Sequence, residues 1–183
     1  SLREDLERVL EEIERELKEL SDDLRRMNEE TEREIRKLSD DLRRALEKIR
    51  DEIRKLAEEI DDKRLEDILR KVLREVEELV KEVNRINREV LRRSSELVKR
   101  VDEINKKVLD DVRKLVEELK RADKEEIFRK VKEEARRLVR EVEEVNKEVK
   151  KRSRDLLREV RKVNEDVKRE IERLLRKVAK DAE

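Results

Sequence analysis

The sequence contains no glycine and no proline. Together these make up about 12% of an average chain, and they build tight turns and end helices. A folded chain without them has very few turns. Cysteine and histidine are also absent. That excludes disulfides, thiolate nucleophiles, zinc sites of the usual kind and imidazole acid–base chemistry. There is no tryptophan or tyrosine, and Phe128 is the single aromatic, so no platform exists for stacking single-stranded bases. No apolar run approaches the roughly 18 residues that span a bilayer. No targeting segment is expected at the N-terminus. An excess of either charge is missing too: Lys+Arg and Asp+Glu number 54 each, for a formal net charge of zero. That balance argues against a nucleic-acid or anionic-membrane partner.

What is present is charge and period. Charged residues make up 59% of the 183, against about 25% in an ordinary globular protein. High charge alone would suit disorder, but the apolar residues keep a phase that a disordered chain has no reason to hold. The pattern has a period of eighteen: ILRKVLREVEELVKEVNR (68–85), INREVLRRSSELVKRVDE (86–103) and INKKVLDDVRKLVEELKR (104–121) align position by position. So do IFRKVKEEARRLVREVEE (127–144), VNKEVKKRSRDLLREVRK (145–162) and VNEDVKREIERLLRKVAK (163–180). The opening third repeats REDLERVLEEIERELKEL (3–20), SDDLRRMNEETEREIRKL (21–38) and SDDLRRALEKIRDEIRKL (39–56). At about 100° per residue the apolar positions form arcs about 140° wide in the second and third segments and about 100° wide in the first. Eighteen residues are five turns of 3.6, so the pattern imposes neither hand of supercoil. Nearly straight helices follow.

Ser21 and Ser39 open SDDL stretches that resemble helix N-caps. The apolar spacing runs through both without spare residues for a loop, which predicts continuous helix there. Phase is lost at Ile60–Arg64 and at Lys120–Lys124. Asp62 is a candidate cap for the second helix, and Asp123 with Glu126 and Ser1 with Glu4 make capping-box-like starts. The expected fold is all-α: one domain over 1–183 with helices at about 2–60, 63–120 and 124–181. Each helix of about 58 residues is roughly 87 Å long. Short loops make consecutive helices antiparallel, giving an elongated up-down-up three-helix bundle.

The outer faces carry acid–base pairs four apart, such as Glu125 with Arg129 and Asp51 with Lys55. Each contributes about 0.2–0.5 kcal/mol, as a solvated face of strong helix formers does. Carboxylate pairs are too common here to signal catalysis, the arcs are read as free of carboxylate, and no nucleophile–base pair can be assembled. No enzyme activity, catalytic residue, metal site or cofactor is expected.

Polar residues interrupt the apolar arcs. Asn87 and Asn105 stand in the repeat position of Leu69; Asn146 and Asn164 in that of Phe128; Ser94 in that of Val76 and Val112; Ser153 in that of Ala135 and Ile171. Asn28 and Thr31 replace the Leu46 and Ile49 of the next repeat. Asn84, Ser95, Ser21 and Ser39 lie at arc edges, where for the serines a solvated boundary position is the alternative. With turns centred near 62 and 122, Ser39 should face about residue 85, Ser21 about 103, Asn84 about 160, Thr31 about 93 and Ser94 about 150. The polar residues thus fall into layers. A buried amide or hydroxyl without a partner costs about 1–3 kcal/mol, so such layers suit either a bound ligand or a device that sets register, like a lone core Asn in a coiled coil. A repetitive bundle needs that device, because a helix sliding by one repeat buries nearly the same surface. Asn28, Thr31, Asn84, Asn87, Ser94, Asn105, Asn146, Ser153 and Asn164 are assigned to it.

With this repeat, these absences and these layers, the chain resembles the computationally designed, parametrically generated straight three-helix bundles with buried hydrogen-bond networks. The resemblance covers the whole chain. It implies a hyperstable scaffold without biological activity, synthetic in origin, soluble, and cytoplasmic if expressed in bacteria. No partner is required, and a monomer is expected. The alternative is an interaction module that self-associates as a homodimer through the apolar rims of the second and third helices. A natural charged rod, spectrin-like or lipid-binding, would need aromatic anchors, a basic face or irregular repeats.

Overall fold

The computed structural model describes residues 2–122 and 125–181. It is an all-α three-helix bundle: α1 Leu2–Glu59, α2 Lys63–Ala122 and α3 Glu125–Asp181. Helix runs unbroken through Ser21 and Ser39. Two predicted ends differ by one or two residues: α1 stops at Glu59 rather than 60, and α2 continues to Ala122 rather than 120; the expected start of α3 at 124 lies outside the described residues. Frayed last turns account for shifts of this size. Asp62 caps α2, accepting a hydrogen bond from the Arg64 backbone N–H at 2.9 Å. This satisfies one of the four orphan donors of the first turn. The Ser1 and Asp123 caps read from the sequence lie outside the described residues.

Contacts divide the chain into two compact units, Ser1–Glu30 with Arg93–Arg154 and Thr31–Arg92 with Asp155–Glu183. In the first unit, Glu7 pairs with Lys120, Glu14 with Arg113 and Arg25 with Asp102. As α1 advances, α2 retreats, so the two are antiparallel. Asp23 meets Lys150 further along α3, and Glu16 meets Glu143, so α1 and α3 run the same way.

The first unit's core joins Leu6, Ile13 and Leu17 to Val112, Val116, Ala135 and Val139. A neighbouring cluster gathers Leu24, Val98, Val101 and Val149. The second unit packs Leu42, Ile49 and Ile53 against Val76, Val80, Val83 and Ile171. On α2 the buried positions are 69, 76, 80 and 83, and each recurs one and two repeats later. Burial therefore obeys the repeat even where the residue is polar. The arc edges follow it less closely: Ile68 and Ile104 are 49% and 44% exposed, while Ile86 at the same repeat position is half-buried.

Candidate functional site: two buried asparagine layers

The polar exceptions converge on two layers of the same construction. In the first unit, Asn105 on α2 and Asn146 on α3 are almost fully buried. Asn146 Nδ2 donates to Asn105 Oδ1 at 3.0 Å, and Asn105 Nδ2 returns a longer bond to Asn146 Oδ1 at 3.4 Å. Asn105 Nδ2 also donates to Ser21 Oγ on α1 at 3.0 Å, so one layer ties all three helices. The second Asn146 proton goes back to the Val142 carbonyl at 2.7 Å. In the second unit the same pattern recurs, displaced by one repeat along each helix. Asn164 Nδ2 donates to Asn87 Oδ1 at 2.7 Å, and Asn87 Nδ2 donates to Asn164 Oδ1 and to Ser39 Oγ, both at 3.0 Å. Asn164 bonds back to the Val160 carbonyl at 2.7 Å. Reciprocal amide pairing places each donor on an acceptor, which is how buried amides avoid the cost of lost water.

Between α1 and α2 the heights are close to those expected from the turns; between α2 and α3 they are not, since a turn centred near 122 puts residue 139 opposite Asn105 and the structure puts Asn146 there. Ser39 meets Asn87 rather than residue 85, and Ser21 meets Asn105 rather than residue 103. The displacement has a cause: side chains lean toward their own helix N-terminus. In antiparallel neighbours that lean brings together residues slightly later in each chain. Asn84 departs from expectation. Its expected height near residue 160 is one turn from Asn164, but Asn164 takes Asn87, and the half-buried Asn84 Oδ1 has no hydrogen-bond partner.

The repeat explains Asn84, because the same position one repeat on is Asp102. Asp102 lies at the edge of the α2 arc with its side chain 18% exposed. This corrects the expectation that the arcs hold no carboxylate. Burial pushes the Asp102 pKa up, but the Ser21 hydroxyl, Lys106 and Arg25 outweigh it, and the carboxyl sits below its ordinary 3.8. The contacts are loose: Lys106 Nζ is 3.3 Å from Oδ2, Arg25 Nη2 is 3.6 Å from Oδ1, and Oδ1 lacks a hydrogen bond of ordinary geometry. The first layer thus continues from Asn146 through Asn105 and Ser21 to Asp102. In the second unit Asn84 and Ser39 line one cleft of about 510 Å3 between α1 and α2, rimmed by Arg43, Arg50 and Arg88.

The remaining assigned residues are Asn28, Thr31, Ser94 and Ser153. In the first unit Ser95 Oγ donates weakly to Asn28 Oδ1 at 3.4 Å. Ser94 and Ser153 are each 1% exposed, and neither hydroxyl oxygen has a partner. Thr31, in the second unit, is buried. Ser21 and Ser39, at arc edges where a solvated boundary position is the alternative, are each the third member of a layer. The signal for them was the calculated height, which put both beside an Asn.

No family model, no curated protein and no solved structure matches the chain. Among the described residues no group of three or more Asp or Glu is arranged to hold a metal ion. No helix among them is long and apolar enough to cross a membrane.

Proposed function

We propose that the chain is a designed structural scaffold, a three-helix bundle whose Asn–Asn–Ser layers act as register marks and carry no chemistry. The observation behind this is the reciprocal bonding of Asn105 with Asn146 and of Asn87 with Asn164, each closed on α1 by a serine. These amides spend their hydrogen bonds on one another and on backbone carbonyls, so little is left for a ligand. If α2 slid by one repeat, one Asn pair would re-form. The other two amides would face the repeat positions held by Phe128 and Leu69. Each orphaned amide costs about 1–3 kcal/mol, a large share of the margin between competing packings. The cost falls on wrong registers and not on the right one, which is the use of a polar group in an otherwise apolar core.

The test replaces both layers: Asn87, Asn105, Asn146 and Asn164 to Leu, with Ser21 and Ser39 to Ala. The variant should unfold at higher temperature, yet show doubled or broadened backbone amide resonances from mixed registers. Spin labels on α1 and α2 should report several distances in place of one. A single sharp spectrum with unchanged distances would refute the register role.

A further inference from the structure

The two asparagine layers differ by one charge. In the first unit the layer ends on the Asp102 carboxylate, with Ser21, Lys106 and Arg25 around it. Burial disfavours that charge, yet the three partners hold the carboxyl below its ordinary range. One repeat along each helix the same positions are Ser39, Arg88 and Arg43, and Asn84 stands in place of the aspartate. The second unit therefore keeps the hydroxyl and both cations but has no anion at their centre.

The cations around Asn84 are short of partners. No Asp or Glu stands three or four residues from Arg88 in α2, whereas Lys106 has Asp102, Glu103 and Asp110 at those spacings. The α1–α2 cleft of about 510 Å3 at Asn84 is also lined by Arg50 and Lys81, so four cations face the carboxylates of Asp40 and Glu77. Arg43 bonds Asp40, Arg50 Nε lies 3.2 Å from Glu77 Oε1, and Lys81 Nζ lies 3.8 Å from Glu78 Oε1. Surface pairs of this kind contribute about 0–1 kcal/mol, and they leave a cation able to take a second partner. Arg25 does so in the first unit, 3.7 Å from Asp22 and 3.6 Å from Asp102.

Two neutral donors complete the arrangement. Ser39 Oγ accepts from Asn87 Nδ2 at 3.0 Å, which leaves its own proton to give. Ser21 gives its proton to Asp102 in the first unit. Asn84 buries Oδ1 without a partner, so Nδ2 is the end of its amide toward the cleft.

We propose that this cleft of the second unit binds a compact oxyanion of the phosphate class, held just outside the Asn84 amide between Arg43 and Arg88. The Ser39 hydroxyl and Asn84 Nδ2 donate to it, and the guanidinium forks of Arg43 and Arg88 match its oxygens. Arg50 and Lys81 add positive charge at the rim. The anion does for the second unit what Asp102 does for the first: it gives a serine proton and two cations a common partner. The Asn87–Asn164 pair keeps its own bonds, so the site stands or falls separately from the register role.

The probe is inorganic phosphate, titrated at neutral pH and low ionic strength into isotope-labelled protein. The side-chain amide resonances of Asn84 and Asn87 should shift saturably with millimolar affinity, and those of Asn105 and Asn146 should stay in place. Sodium chloride at matched ionic strength should not reproduce the shifts. Asn84→Asp installs the carboxylate that the first unit carries at this repeat position and should weaken phosphate at least tenfold, roughly 1.4 kcal/mol. Arg43→Gln with Arg88→Gln changes two exposed positions and should weaken it as much, with circular dichroism unchanged. Phosphate shifts that do not saturate, or that chloride reproduces, would overturn the proposal. So would an affinity indifferent to Asn84→Asp or to the paired arginine change. Equal shifts at Asn105 would overturn it too, because phosphate would then be gathering on the charged surface at large and not in this cleft.

Discussion

Replacing Asn105 by Leu tests whether the first layer is held together by its amides. Leucine has nearly the shape of asparagine and occupies the matching repeat position at Leu69. The change removes three bonds: Asn105 to Ser21, Asn105 to Asn146, and Asn146 to Asn105. At about 1 kcal/mol net per bond the loss is about 3 kcal/mol. Burying the leucine side chain returns about 1.5–3 kcal/mol, so the single variant should be neutral to about 1.5 kcal/mol less stable. Asn146→Leu should behave alike, because it strands Asn105. The double variant strands neither amide and gains two leucines, and should be more stable than either single. The two Asn105–Asn146 bonds are counted once in the double variant but in both singles. At the same value per bond, a double-mutant cycle should therefore show coupling of about 2 kcal/mol. The assay is guanidinium unfolding followed by far-ultraviolet circular dichroism, warmed if the parent resists denaturant. Independent sites add within about 0.3–0.5 kcal/mol. A cycle that closes within that range would refute the reciprocal amide pair and the register argument built on it.

Three further outcomes are expected. Asp62→Ala removes the α2 cap and should cost about 1 kcal/mol, against a few tenths for Asp62→Gly, measured by the same denaturation. Burial raises the Glu16 pKa, and Glu143, Glu12 and Glu19 raise it further. Its charged form is therefore disfavoured in the fold above the raised value, and the penalty disappears below its ordinary 4.5. Glu16→Gln should stabilise by about 0.2–0.5 kcal/mol at neutral pH, the scale of a solvent-screened like-charge pair, and by nothing at strongly acid pH. Equal effects at both pH values would contradict the cause given. Asp102 has the opposite sign: its depressed pKa contributes stability above its ordinary 3.8, and that contribution is lost as pH falls through the depressed value. Asp102→Asn, the residue its repeat position carries at Asn84, should narrow the gap between the neutral and strongly acid unfolding midpoints.

Periodicity made the fold legible. Four buried positions in each α2 repeat need only the helical turn to reveal a face, and two losses of phase along the chain leave three helices with no other reading. The layers were partly legible, since Asn87, Asn105, Asn146 and Asn164 occupy positions whose repeat-mates are apolar. Their pairing was less so. Counting from the turns placed α3 seven residues away from where it packs on α2, so Asn164 meets Asn87 and Asn84 is left out. Edge residues were the least legible. Whether Ser21, Asp102 or Ile104 is covered depends on the charge, size and distance of a neighbouring helix.

The sequence by itself determined which residues are helical, where the chain turns, which face is buried and that no histidine or cysteine chemistry is available. These follow from local periodicity and from residue types. Only the tertiary structure decided which amide meets which, that Asp102 joins a buried layer through Ser21, and that Ile104 and Val145 of the first unit stay partly exposed. Those outcomes depend on distances between helices that no single helix encodes. An amide is satisfied, a carboxyl shifted or an isoleucine exposed by what stands opposite it.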